Sequence, residues 1–406
     1  MFQNFITLLV LSILFARVPA QAQMVVAKTN VIDTARTSVR LPDALVTKAG
    51  EKVTSVKMWN TIRRPEILEL FRENIYGRMP IGRPTNLTFT VDNVSDAMDG
   101  RAVRKLVTIS YGNNRGQGAI HLTLFVPRGH DRVPCFLLIC NRGLRFADPT
   151  REVKSPFWPA EEIVNRGYAA AVFCNTDVAP DRYNGFTNGV YALYDSPSGR
   201  SDDSWGAIAA WAWGASRVMD YLVTDKNIDS RRIAVVGHSR GGKAALWAGA
   251  EDERFAVVIS NDSGCTGAAL ARGKQGENIR EINRVFPHWF CQNYKRYNDR
   301  ENNLPVDQHM LAALIAPRLL YIASATEDAT SDPKSEFLTA VNAGPVYHLF
   351  GLNGIESTVM PSPDTPLPKG QIGYHLRAGK HDLTEYDWER FMDFASLHWK
   401  SDGLAH

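Results

Sequence analysis

Two hydrophobic rhythms divide the chain near Pro134. Upstream, residues 87–91, 106–110 and 121–126 alternate apolar and polar positions. That period of two predicts antiparallel strands with one face toward water. Downstream, short continuous apolar runs take over at 136–140, 169–174, 233–236, 256–260, 319–323 and 346–350. Such runs fit strands buried on both faces of a parallel sheet that helices cover. Helical periodicity fills 205–222, 243–250, 333–341 and 384–399. Arg63-Arg64-Pro65 opens a further short helix, with Pro in its first turn. Alternating strand and helix predicts an α/β fold with right-handed crossovers. Residues 265–310 interrupt the alternation. An insertion at the carboxyl ends of strands is expected to form the lip of a site.

The N-terminus has a pattern of its own. Residues 5–16 are apolar apart from Thr7 and Ser12, Arg17 closes the run, and Ala20-Gln21-Ala22 follows. The run is shorter than the about 20 apolar residues that span a bilayer. It predicts a signal peptide over 1–22, a mature chain from about Gln23, and a secreted or periplasmic protein. Residues 24–57 show no period and are expected to lie as an arm across one catalytic domain spanning 23–403.

Composition changes this picture little. The chain has 406 residues, 44% of them hydrophobic, enough for a large core. A net charge of +3, with Lys and Arg scattered, gives no reason to expect nucleic acid or a membrane surface as partner. Five cysteines leave at least one unpaired. Cys135, Cys140 and Cys174 fall in apolar runs, where free cysteine packs as a small hydrophobe. Cys265 and Cys291 lie in the insertion; a disulfide stays open, and parity alone does not choose its pair. No Cys or His spacing matches a zinc site, so no metal or cofactor is expected, and a monomer is.

Chemistry enters at Gly237-His238-Ser239-Arg240-Gly241, between an apolar run and a helical stretch. Strand, sharp turn and helix around Gly-x-Ser-x-Gly make a nucleophile elbow, with Ser239 as the nucleophile. The backbone N–H of Arg240 is then placed for the oxyanion. In this fold the acid and then the histidine follow the serine in sequence. His381, in the polar loop Gly379-Lys380-His381-Asp382, is the expected base; His375 and His398 fall within periodic elements. Asp328, just after the run 319–323, is the favoured acid, with Glu327 and Asp332 as neighbours and Asp262 as second candidate.

Taken together these blocks resemble the glucuronoyl esterases of carbohydrate esterase family fifteen, of the bacterial type. The resemblance runs from about Pro65 to Trp399. Its most specific block is 237–243, where Arg240 and Lys243 accompany the serine. Asn261-Asp262-Ser263-Gly264, Phe286-Pro287-His288-Trp289 and Tyr374-His375-Leu376-Arg377 follow in order. It implies an α/β-hydrolase that cleaves 4-O-methyl-glucuronoyl esters between glucuronoxylan and lignin alcohols. It also implies an oxyanion role for the Arg240 side chain, and sugar contacts from Lys243 and Glu277. Two positions depart from the family: Asp262 stands where many members have Glu, and Thr330 where many have an aromatic. Trp289 is then a candidate replacement surface. The rival expectations are an acetyl xylan esterase or other carbohydrate esterase, a serine peptidase of the same fold, and a non-catalytic carbohydrate-binding relative.

Overall fold

The computed structural model describes residues 40–401. The expected signal segment 1–22, and residues 23–39 of the arm, lie outside the described residues. The strands are β1 (Thr88–Ala97), β2 (Ala102–Asn113), β3 (Gly116–Pro127), β4 (Val133–Cys140), β5 (Ala169–Cys174), β6 (Ile228–His238), β7 (Val257–Asn261), β8 (Leu319–Ala325) and β9 (Ile372–Arg377). They form one sheet in the order β1-β2-β3-β5-β4-β6-β7-β8-β9. β1, β2 and β3 pair antiparallel, and β3 pairs antiparallel with β5. From β5 to β9 every pairing is parallel. The change of rhythm near Pro134 is therefore the change from antiparallel to parallel pairing.

Continuous apolarity in the parallel strands has the expected cause. On β6, Ile233 and Val235 point into one core and Ala234 and Val236 into the other. On β4, Leu137 and Ile139 divide from Phe136 and Leu138 in the same way. One face is covered by the helices Ala207–Leu222 and Arg240–Glu251, the other by Ala160–Asn165 and Glu385–Ser401. Every residue of Ala207–Leu222 is buried, so its polar atoms need partners inside. Trp211 donates to the Ala179 carbonyl at 3.0 Å and Trp213 to Gly82 at 2.8 Å.

One expected strand is absent. Residues 346–349 continue the helix Pro333–Leu349, and Phe350 caps it, rather than forming a strand. Phe337, Ala340, Ala343, Val346 and Tyr347 share one core, a helical spacing that a five-residue apolar run conceals. The remaining runs are strands, with ends moved by a few residues. The insertion 265–310 is no loose flap either. Ile279–Val285 opens with a capping box between Asn278 and Glu281, and buried Asp307 accepts from the backbone of Ala271 and Arg272. All five cysteines are free and buried, so the disulfide that the sequence left open is not formed. Among the described residues no helix is long and apolar enough to cross a membrane.

The strand order reverses at β4, which has β5 on one side and β6 on the other. In an open parallel sheet the crevice beyond the strand ends at such a reversal is where ligands bind. The segments leaving β4, β6, β7, β8 and β9 carry Arg142, Ser239, Asp262, Asp328 and His381. Packing below this edge is dense: Trp388 is fully buried beside Phe136 and donates to the Phe157 carbonyl at 3.1 Å. Trp388→Ala is expected to cost about 3–5 kcal/mol, measured by urea unfolding of the full chain.

Candidate active site

β6 runs straight into the helix Arg240–Glu251, and the single residue between them is Ser239. Its backbone sits at φ 56°, ψ −124°, a conformation that L-residues adopt only under constraint. A Cβ on Gly237 would lie 2.0 Å from the Gly241 carbonyl oxygen, so only glycine allows so tight a turn. The turn is pinned from both sides: Ser239 N–H donates to the Asn261 carbonyl at 2.9 Å, and its own carbonyl accepts from Lys243 N–H at 3.1 Å. Ser239 thus stands half-buried at the start of a helix, with the Arg240 N–H following it.

The histidine is reached from three strands away, on the loop after β9. His381 Nδ1 lies 2.5 Å from Asp328 Oδ2. Burial acts to raise the Asp328 carboxyl, but hydrogen bonds from His381 and Ser331 and the His381 charge hold it below the ordinary range. An ionised Asp328 can only accept, so Nδ1 carries the proton and Nε2 is left as the basic nitrogen. Asp262 lies close by, with ligand atoms of Asp262, Asp328 and His381 all within 4.8 Å of one another. Its Oδ2, however, faces the Asp382 N–H at 3.3 Å and Arg377 Nη2 at 3.5 Å. Burial, then the charges of Glu336, Asp387 and Asp328, push Asp262 well above the carboxylate range, and Arg377 opposes them only in part. Of the two acids, Asp328 is the one hydrogen-bonded to the imidazole. Among the described residues those three groups are also the nearest approach to a cation site, but the 2.5 Å hydrogen bond occupies the His381 and Asp328 atoms a cation would need. The other two neighbours have different duties: Glu327 is exposed, and Asp332 caps the helix Pro333–Leu349 through Ser335 N–H.

Three charged residues that the sequence did not single out organise the rim. Arg142, after β4, donates to Asp382 Oδ1 at 2.6 Å and sits 3.1 Å from His238 Nε2. A guanidinium cannot accept, so Nε2 of His238 does, and its Nδ1–H donates to Asn261 Oδ1 at 2.6 Å. Burial, reinforced by the charges of His381 and Arg142, holds His238 well below 6.5 and thus neutral. Asp181, in the loop after β5, accepts from Arg240 Nη1 at 2.5 Å, Trp289 Nε1 at 2.9 Å and His288 Nε2 at 3.2 Å. Burial would raise Asp181, but the His288 hydrogen bond and the Arg240 charge bring it down to about 2. The third, Arg377, donates into the loop that carries His381. Loop position at the carboxyl edge was the available signal for Arg142 and Asp181.

The expected sugar-binding residues converge on the same rim. Lys243 is 4% exposed, not a surface cation, and its Nζ donates to the Ser263 carbonyl at 2.5 Å. Burial lowers it, with Glu277 the main opposing charge, which puts Glu277 within electrostatic reach. Glu277 is half-buried, and its N–H donates to the carbonyl of Thr330, whose side chain is exposed. Trp289 is 3% exposed and stacks on Phe286 at 3.6 Å. Arg240 lies 4.9 Å and Lys243 5.8 Å from its ring centre. The ring therefore carries those two cations rather than lying open as a platform.

This sheet order and this elbow define an α/β-hydrolase. The family model described as glucuronyl esterase, fungi, matches residues 156–351. A carbohydrate esterase from an unknown prokaryotic organism is 43% identical over 388 residues, covering 88% of this chain and 89% of that one. The solved glucuronoyl esterase from Solibacter usitatus is 42% identical with a TM-score of 0.84, covering 90% of this chain and all of the other. A 4-O-methyl-glucuronoyl methylesterase of Podospora anserina is 31% identical across 70% of this chain and 54% of its own length. The chain belongs to the glucuronoyl esterases of carbohydrate esterase family 15, which are carboxylic ester hydrolases.

Asp181 supplies a test that does not depend on turnover. Its carboxyl is depressed from 3.8 to about 2, so the stability it contributes is fully present above the unfolded value and lost as pH falls through the folded one. Urea unfolding of wild type and Asp181→Asn from about pH 5 to about pH 2 is expected to show the gap between them closing as pH falls.

Proposed function

We propose that this protein hydrolyses esters of 4-O-methyl-glucuronic acid, those joining glucuronoxylan to lignin alcohols, through a glucuronoyl-Ser239 intermediate. The observation that carries the proposal is the His381–Asp328 hydrogen bond of 2.5 Å beside a serine held at positive φ. His381 Nε2 takes the Ser239 hydroxyl proton as Oγ attacks the ester carbonyl carbon. Asp328 stays ionised and holds the imidazolium that forms. The Arg240 backbone N–H meets the developing oxyanion, an interaction worth about 3–4 kcal/mol for one such donor. Arg240 Nε is buried without a protein acceptor, which leaves a second N–H for the same charge. Collapse of the tetrahedral species passes the His381 proton to the leaving alcohol. His381 then activates water, which attacks the acyl carbon and releases the uronic acid and free Ser239.

Recognition of the acid half falls to Lys243 and Glu277, whose opposite charges suit the hydroxyls of one sugar ring, with Trp289 fixing Arg240 and Lys243. The signal-like segment 1–22 supports export, which would put a monomeric enzyme where such esters occur. An acetyl xylan esterase would use the same Ser239 and His381, so substrate comparison separates the two readings.

With benzyl glucuronate, Ser239→Ala and His381→Ala are each expected to abolish turnover above background. Acetate release from acetylated xylan without uronate ester hydrolysis would replace the glucuronoyl reading by the acetyl one. Asp328→Asn is expected to lower kcat by about 10³–10⁴-fold, and Asp262→Asn by much less, in steady-state assays. The opposite order would move the acid to β7.

A further inference from the structure

The loop that carries His381 contains few residues of its own to hold it. Gly379 and Lys380 precede the histidine, and His381 itself is exposed. What holds it is a guanidinium placed inside the turn. Arg377 ends β9, is 7% exposed, and points its fork back beneath residues 378–382. Nη2 donates to the carbonyls of Lys380 at 2.8 Å and Asp382 at 3.0 Å, the two residues flanking His381. Nη1 donates to the Ala378 carbonyl at 3.1 Å. Nε lies 3.1 Å from both oxygens of Asp387.

The far side of this grip is itself fixed. Asp387 is fully buried and also accepts from Thr384 N–H, Thr384 Oγ1 and His375 Nε2, at 2.7, 2.7 and 2.9 Å. His375 in turn meets the Tyr321 hydroxyl at 3.1 Å through Nδ1. Asp262 closes the near side: its Oδ2 lies 3.5 Å from Arg377 Nη2 and accepts the Asp382 N–H. The backbone then ties this turn to the acid's loop. Thr326 N–H donates to the Arg377 carbonyl at 2.9 Å and Glu327 N–H to the Gly379 carbonyl at 2.8 Å. Asp328 follows directly.

We propose that Arg377 is a positioning residue for the reaction. It sets the His381 imidazole against Asp328 and Ser239 through the carbonyls on either side of the histidine. Asp387 serves as its counter-charge, and Asp262 closes the near side through Oδ2, which gives Asp262 a part in the site other than that of triad acid. This rests on His381 being the base. A guanidinium is required because it presents five N–H donors in a fixed plane, four of which are matched here to carbonyls on one side and a carboxylate on the other. A lysine ammonium keeps the charge but cannot span both sets from one nitrogen.

The test compares the full-length wild type with Arg377→Lys and Asp387→Asn on benzyl glucuronate, with thermal unfolding and the rate of Ser239 labelling by a fluorophosphonate measured alongside. For a histidine displaced by a fraction of an ångström, Arg377→Lys is expected to lose about 10²-fold in kcat, with KM within about twofold. Labelling should slow in parallel, because it needs the same serine–histidine alignment without the sugar subsite. If Arg377→Lys does not fold, Asp387→Asn decides: a fall in kcat of about tenfold with KM unchanged is expected. An Arg377→Lys enzyme with wild-type kcat and labelling overturns the proposal. So does a rise in KM as large as the fall in kcat, or a folded Asp387→Asn enzyme with unchanged kcat when Arg377→Lys cannot be made. His381→Ala separates this from the underlying mechanism: turnover surviving in that variant would remove His381 as base, whatever Arg377 does.

Discussion

A methyl group on Gly237 would meet the Gly241 carbonyl oxygen at 2.0 Å, and that contact sets how sharply β6 can turn into its helix. Ser239 pays for the sharpness with a positive φ, a conformation that costs on the order of 1–3 kcal/mol. The neighbouring strand offsets part of this, because β7 offers the Asn261 carbonyl to the Ser239 N–H. Asn261 also takes the His238 Nδ1–H. The turn is thus over-determined by parallel pairing between β6 and β7, and the serine can stand strained because the sheet is rigid. Lose the register and the nucleophile has no reason to hold its angle.

Around that turn the protein gathers buried acids and separates their behaviour by environment. Asp328 is held low because His381 and Ser331 donate to it against the effect of burial. Asp262, a strand away, is pushed up by burial and by the carboxylates around it. Glu336, fully buried, is raised to about 7 by burial, although Ser324 Oγ and Gly264 N–H both donate to it. Neighbouring carboxyls with divergent affinities for protons are how one site keeps one acid ionised and another neutral at the same pH. The cations are placed apart: Lys243 lies against the Trp289 ring, and Arg377 beneath the histidine.

Sequence carried the local parts of this arrangement well. The elbow is written in consecutive residues, because strand, glycines and helix all fall within 233–250. His381 could be picked from chain order and its polar loop. Sequence favoured Asp328 over Asp262 but kept both, since both follow apolar runs and the runs become adjacent strands. Geometry distinguishes them because β8, not β7, pairs with β9. Arg142, Asp181 and Arg377 were less legible for a physical reason. Arg142 meets a partner 240 positions away and Asp181 one 59 away, so neither leaves a spacing to read. Arg377 was visible only as part of a motif. The run 346–350 misled because five apolar residues fit the inside of a helix as readily as a strand.

Asp181 sits where three separately encoded segments meet: the loop after β5, the start of the elbow helix through Arg240, and the insertion through His288 and Trp289. Residues that share one partner do not vary independently in their energetic effects. The loop and the insertion are therefore energetically coupled, though about a hundred residues divide them along the chain. Grafting either one alone from a relative would strand the carboxylate or the indole. An effort to retarget this esterase by recombination gains from exchanging the two together, with Asp181 as the joint.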